Sequence, residues 1–191
     1  MAGVEKERLL IKKAKDGDED SFTELLDSCR ARAYNVAFRY FRNEEDALDA
    51  LQESFLKIFR HLGKFKEDSR FDTWVYRIVV NTCNDMLRKK TIEKSMDNYY
   101  SDPDEERVFE IPDGSPSPEE RLVHKERGES ILACLDRISH EHKEVIVLRD
   151  IQGFSYGEIA EILECDLGTV KSRINRARNK LRDKILEQNQ F

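Results

Sequence analysis

Apolar residues in this chain recur at steps of three and four, in two blocks separated by a stretch without any such period. Leu48, Leu51, Phe55, Ile58, Phe59 and Leu62 mark one stripe, and Val170, Ile174, Ala177 and Leu181 mark another. Chains patterned this way fold as amphipathic helices, each burying one face. With 38% charged against 39% hydrophobic residues, the helices must gather into small units with solvated outer faces. Eight glycines and four prolines are too few for a many-turned all-β fold. The expected fold is all-α: two small helical domains joined by a flexible acidic linker, the C-terminal domain a helix-turn-helix.

The aperiodic stretch sets the boundaries. Residues 91–127 hold all four prolines (Pro103, Pro112, Pro116 and Pro118), with 11 acidic and 5 basic residues. That composition predicts a linker. It leaves an N-terminal domain at 1–90 and a C-terminal domain at 128–191. The net charge of -6 hides two cationic patches. Residues 57–90 carry nine basic residues against four acidic, and residues 167–184 carry seven basic against Asp183 alone. One cationic patch in each half of an acidic chain points to nucleic acid.

Capping signals predict helix starts at Asp20 or Ser21, after Asn43, and at Asp72, with Gly63 closing the helix between the last two. In the helix after Asp72, Trp74, Val75, Ile78, Val79, Thr82 and Met86 are the expected core. The C-terminal half predicts helices over 119–136, 141–151, 155–163 and 167–187. Ser155 and Glu158 have the spacing of a capping box. Ile159, Ala160 and Leu163 form the inner face of that helix, and Glu164, Cys165 and Asp166 make a tight turn. In the next helix Lys171, Ser172, Asn175 and Arg176 fall opposite the Val170 stripe. Small and polar outward residues flanked by cations suit the DNA major groove. Arg176 or Lys171 could reach guanine edges and Asn175 an adenine edge. Arg173, Arg178 and Lys180 suit phosphates.

Other chemistries find little support. No run of 18 apolar residues could span a membrane, and the first 20 residues lack the apolar core of a signal peptide, so a cytoplasmic location is expected. Cys29, Cys83, Cys134 and Cys165 are far apart and read as reduced thiols packed like small hydrophobes. Cys134, His140 and His142 have a spacing that matches no common zinc site. No metal, cofactor or small-molecule substrate is expected. Gly-rich phosphate loops, H-E-x-x-H and G-x-S-x-G are absent from the sequence, which argues against an enzyme. A helix-turn-helix regulator with an N-terminal sensory or interaction domain stays open as the alternative.

The run Ser155-Tyr156-Gly157-Glu158-Ile159-Ala160, followed by Gly168 to Arg178, resembles the C-terminal domain of the extracytoplasmic-function sigma factors of bacterial RNA polymerase. DALDALQESFLKIF resembles that family's polymerase-binding helix, and FDTWVYRIVVNTCNDMLRKK its promoter-melting helix. The resemblance covers nearly the whole chain except the linker. It implies core RNA polymerase, promoter DNA and an anti-sigma factor as partners. It implies docking on the polymerase through Asp49, Gln52 and Glu53. It implies capture of an unstacked base of the minus-ten element by Phe65, Lys66, Ser69 and Arg70, with Asn81. And it assigns Thr169, Lys171, Ser172, Arg173, Asn175, Arg176 and Arg178 to the upstream promoter element.

Overall fold

The computed structural model describes residues 2–97, 131 and 133–188. It divides into two compact units, within Met1–Arg107 and Val108–Phe191. Among the described residues all regular structure is helical. The linker from residue 98 onward, and the part of the expected 119–136 helix before residue 131, lie outside the described residues.

The N-terminal unit contains α1 (Ala2–Lys15), α2 (Glu19–Phe41), α3 (Glu44–His61), a 3-10 turn (Leu62–Lys64) and α4 (Phe71–Asp97). Gly17, at φ 94°, ends α1, and the Asp18 N–H returns to the Lys13 carbonyl at 3.0 Å, the closure of a Schellman turn. The α2 cap is Asp18, not Asp20 or Ser21; Ser21 instead donates its hydroxyl to the Asp18 carboxylate at 2.5 Å. Arg42 takes the left-handed conformation after α2, and Asn43 caps α3 by accepting from the Asp46 N–H at 2.7 Å. This two-residue connection turns α3 back along α2. Helix α4 begins at Phe71, one residue before the expected cap; Asp72 lies in its first turn and pairs with Arg32 at 2.8 Å. It runs through Asp97, past the expected boundary at 90.

Small side chains set the packing of α2 on α3. Ala33, Ala37, Ala47 and Ala50 are fully buried, so the two backbones can approach closely. The consequence is a rotated α3. Ala47, Ala50, Leu51, Ser54 and Ile58 face inward, while Leu48 and Phe59, expected in the core, are 47% and 57% exposed. In α4 the core is Trp74, Val75, Tyr76, Val79, Val80, Thr82 and Cys83; Ile78 and Met86 are only half-buried. Cys29 and Cys83 pack as small hydrophobes, and burial pushes the Cys29 thiol up to about 12, so it stays protonated and inert.

The C-terminal unit follows a helical stretch at 131 and 133–136 with α5 (His140–Ile146), α6 (Tyr156–Ile162) and α7 (Leu167–Gln188). Leu135, Val145, Ile146, Leu148, Phe154, Ile159, Ile162, Val170, Ile174 and Ala177 make its core. Helix α5 passes into a π turn at Val147–Ile151, where the Gln152 N–H reaches back to Val147. Ser155 and Glu158 form the expected capping box. Ile162 takes the inner position expected of Leu163, which is half-buried like Ala160. Glu164, at φ 50°, makes the turn into α7, and the Cys165 N–H bonds the Ala160 carbonyl at 3.0 Å. A left-handed residue there stops α6 abruptly and redirects the chain into α7.

Candidate nucleic-acid interface

Helix α7 buries Val170, Ile174 and Ala177 against α5 and α6, so its opposite side is open. Its seven cations divide by partner. Arg178 grips Asp150 with two nitrogens, at 3.1 and 2.5 Å, and this hydrogen-bonded pair holds its pKa above the usual arginine value. Arg182 pairs with Asp183 at 3.0 Å and Lys184 with Glu187 at 2.8 Å. Lys171, Arg173, Arg176 and Lys180 carry no ion pair or hydrogen bond among the described residues. Arg178, expected at a phosphate, has its fork on Asp150 and ties the end of α5 to α7. The Ser172 hydroxyl is turned back onto the Thr169 carbonyl at 2.9 Å, and Asn175 accepts from Asn179 at 3.1 Å while remaining exposed. Thr169 is half-buried.

A further group, missed in the sequence, borders the same flank. His142 on α5 lies in the field of Lys180, Arg176 and Arg173. Burial first, then these cations, hold its pKa below the ordinary histidine value. The sequence brought His142 up only beside Cys134 and His140 as a spacing that fits no zinc site, because nothing in residues 140–142 reveals which side of α7 they meet.

In the N-terminal unit the basic loop is anchored from both sides. Phe65 is 4% exposed, with its ring 5.0 Å from Trp74 and 5.7 Å from Phe71. Lys15 donates to the Phe65 carbonyl at 2.8 Å and to Glu67 at 2.9 Å. Phe65 is therefore the loop's hydrophobic foot, packed on Phe71 and Trp74 in a placement that leaves little of its ring open to a base. Lys66 and Arg70 are exposed, Ser69 is half-buried, and Arg70 lies 3.9 Å from Asp72. Asn81 is exposed on α4, ten residues past its start and so ~15 Å along the axis. Lys66, Ser69 and Arg70 share one loop; Asn81 stands apart from it.

Helix α3 presents Asp49, Gln52 and Glu53 to solvent as expected. The same side carries three large apolar groups, Leu48, Leu56 and Phe59, which are 47%, 44% and 57% exposed. Phe59 also meets the Phe22 ring edge-on at 5.2 Å, and exposed apolar groups on one helix beside carboxylates and an amide are the composition common at protein-docking surfaces.

Two family models match in the order the motifs suggest: Sigma-70 region 2 over residues 25–92 and Sigma-70 region 4 over residues 128–181. The ECF RNA polymerase sigma factor SigW of Bacillus subtilis is 32% identical over 92% of this chain and 94% of its own length. The chain belongs to the ECF sigma factors. The ECF RNA polymerase sigma-E factor of Haemophilus influenzae is 31% identical over 97% of the sigma factor described here and 98% of its own length. A solved structure of the Bartonella quintana sigma factor RpoE, in complex with the anti-sigma factor NepR, is similar at a TM-score of 0.71 and 25% identity, covering 86% of this chain and 96% of that one. As a sigma factor, the protein binds core RNA polymerase and directs initiation at specific promoters. The paired matches decide against an ordinary helix-turn-helix regulator. The region 2 match takes in most of α2, all of α3 and most of α4, and the region 4 match takes in α5, α6 and most of α7. Among the described residues no helix is long and apolar enough to cross a membrane.

Proposed function

We propose a division of labour among three surfaces of this sigma factor. The α3 face of Leu48, Asp49, Gln52, Glu53, Leu56 and Phe59 docks on core polymerase. The loop of Lys66, Ser69 and Arg70, followed along the strand by Asn81, holds the melted minus-ten element. Cations lining such a path offset the repulsion between phosphates of a separated strand. Helix α7 enters the major groove of the upstream element, with Lys171, Asn175 and Arg176 toward base edges and Arg173 and Lys180 toward phosphates. The protein acts in the cytoplasm, without catalysis of its own, in a stress or envelope-signal response. An anti-sigma protein is a further partner, by similarity to the Bartonella sigma factor solved with one.

The observation that carries the α7 assignment is the division of its cations: Lys171, Arg173, Arg176 and Lys180 have no ion pair among the described residues, Arg173, Arg176 and Lys180 sharing one flank, while their neighbours on the same helix are closed on carboxylates. Cations left unpaired on a folded surface are available to phosphates and guanines without first breaking a bond. In reconstituted holoenzyme, Arg176→Ala is expected to cost about 1–3 kcal/mol at one base pair of the upstream element and little elsewhere. Arg173→Ala should weaken promoter and mixed-sequence duplexes alike and lower the salt slope by roughly one. Binding measured over a set of single-base promoter variants tests both. Identical losses on every sequence for the two variants would overturn the assigned roles.

A further inference from the structure

We propose that His142 is a contact to the DNA backbone whose protonation is coupled to promoter binding, its imidazolium seating a phosphate together with Arg173 and Lys180. This rests on the reading that α7 lies against promoter DNA. Helix α5 packs on α7, and α7 carries Arg173, Arg176 and Lys180 at steps of three and four, on one flank. The three have no ion pair or hydrogen bond among the described residues. The Ser139 hydroxyl lies 2.7 Å from His142 Nδ1 and fixes the half-buried ring. Among the described residues Nε2 makes no hydrogen bond, and it is the ring nitrogen turned away from Ser139.

The charges around this ring are mostly of one sign. From α7 come Arg173, Arg176 and Lys180, and from α5 itself comes Glu141. Lys143 is closed onto Asp136 of the preceding turn at 2.8 Å. Beyond Ser139 a surface cleft is lined by Arg137, Lys180, Asp183, Lys184 and Glu187, where Glu187 lies 2.8 Å from Lys184 and 3.7 Å from Arg137. Three unpaired cations thus face one carboxylate at the ring. A further positive charge there is unfavourable in the free protein, so the imidazole is neutral near physiological pH. A phosphate reverses that balance. It offsets the cations, accepts from Nε2 and favours the imidazolium, so binding takes up a proton. Affinity then rises as pH falls through the bound-state pKa and levels off below the free-state pKa, which lies under the ordinary value.

Fluorescence anisotropy of the full chain with a short mixed-sequence duplex, between about pH 5 and pH 8, tests the coupling. A backbone contact is independent of sequence, so this probe suffices. The wild type is expected to gain about fivefold more affinity across that range than His142→Gln, whose profile should flatten. His140→Gln, on the same helix, should keep the wild-type profile. Wild-type pH dependence in His142→Gln, with Arg173→Ala and Lys180→Ala still weakening binding, would overturn the proposal and leave α7 as the DNA-facing helix. Unchanged binding in Arg173→Ala and Lys180→Ala at every pH would overturn the α7 reading itself, and this proposal with it.

Discussion

Phe65→Ala is expected to destabilise the N-terminal unit by about 3–5 kcal/mol, the usual cost of removing a buried aromatic. The ring packs against both Phe71 and Trp74, and the Lys15 ammonium lies 5.5 Å from its centre. Its loss opens a cavity under the basic loop and loosens the backbone that carries Lys66, Ser69 and Arg70. Trp74 is the sole tryptophan and touches Phe65, so its fluorescence during urea unfolding reports this unit alone. Phe65→Leu should recover much of the loss, because it refills most of the volume, and should open promoters nearly as the wild type does. Wild-type unfolding of Phe65→Ala, together with failed promoter opening, would restore a base-stacking role for this ring.

The second large effect concerns the polymerase. Leu48→Asp combined with Leu56→Asp is expected to cost at least about 2 kcal/mol in core-polymerase binding, roughly thirtyfold in affinity. Both side chains are nearly half exposed, so the unfolding transition seen by Trp74 should move by only about 0.5 kcal/mol. Gln52→Ala with Glu53→Ala should weaken the same contact less, since rim polar groups contribute little on average. Undiminished core binding by the double Asp variant would remove α3 as the docking helix.

Much of the fold was legible because its signals are local. Asn43, Ser155 and Glu158 announce helix starts through side-chain geometry that needs no tertiary context. The stripe of Val170, Ile174 and Ala177 is apolar on one side only, so α7 could be oriented before any neighbour was known. Helix α3 was oriented wrongly for the opposite reason. It has apolar residues around more than half its circumference, and the inward side is chosen by Ala47, Ala50 and Ser54, whose small size matters only against α2. The exposure of Leu48 and Phe59, both expected in the core, is one support for the proposed docking face. The cap was expected at Asp20 or Ser21 and not at Asp18 because Asp and Ser cap helices about equally well and three candidates lie within four residues.

The interface was legible in type but not in detail. The excess of cations on α7 is a matter of counting, whereas the pairing of Arg178 with Asp150 spans 28 residues and depends on the π turn that ends α5. Phe65 sits in a loop between basic residues, where an aromatic ring reads as a stacking surface; only its fit between Phe71 and Trp74 assigns it to the core. His142 gains its neighbours solely from the packing of α5 on α7. Each case is a tertiary contact that periodicity does not encode.

The central claim is that this chain confers promoter-specific initiation on core RNA polymerase. Its most direct test is transcription by core enzyme reconstituted with the full chain on a promoter that the holoenzyme has selected from a random-sequence pool. The account predicts a transcript with one defined start that requires the added chain, falls sharply with Leu48→Asp/Leu56→Asp, and with Arg176→Ala falls by an amount set by one upstream base pair. Core enzyme that neither binds the chain nor starts at a selected site would contradict it.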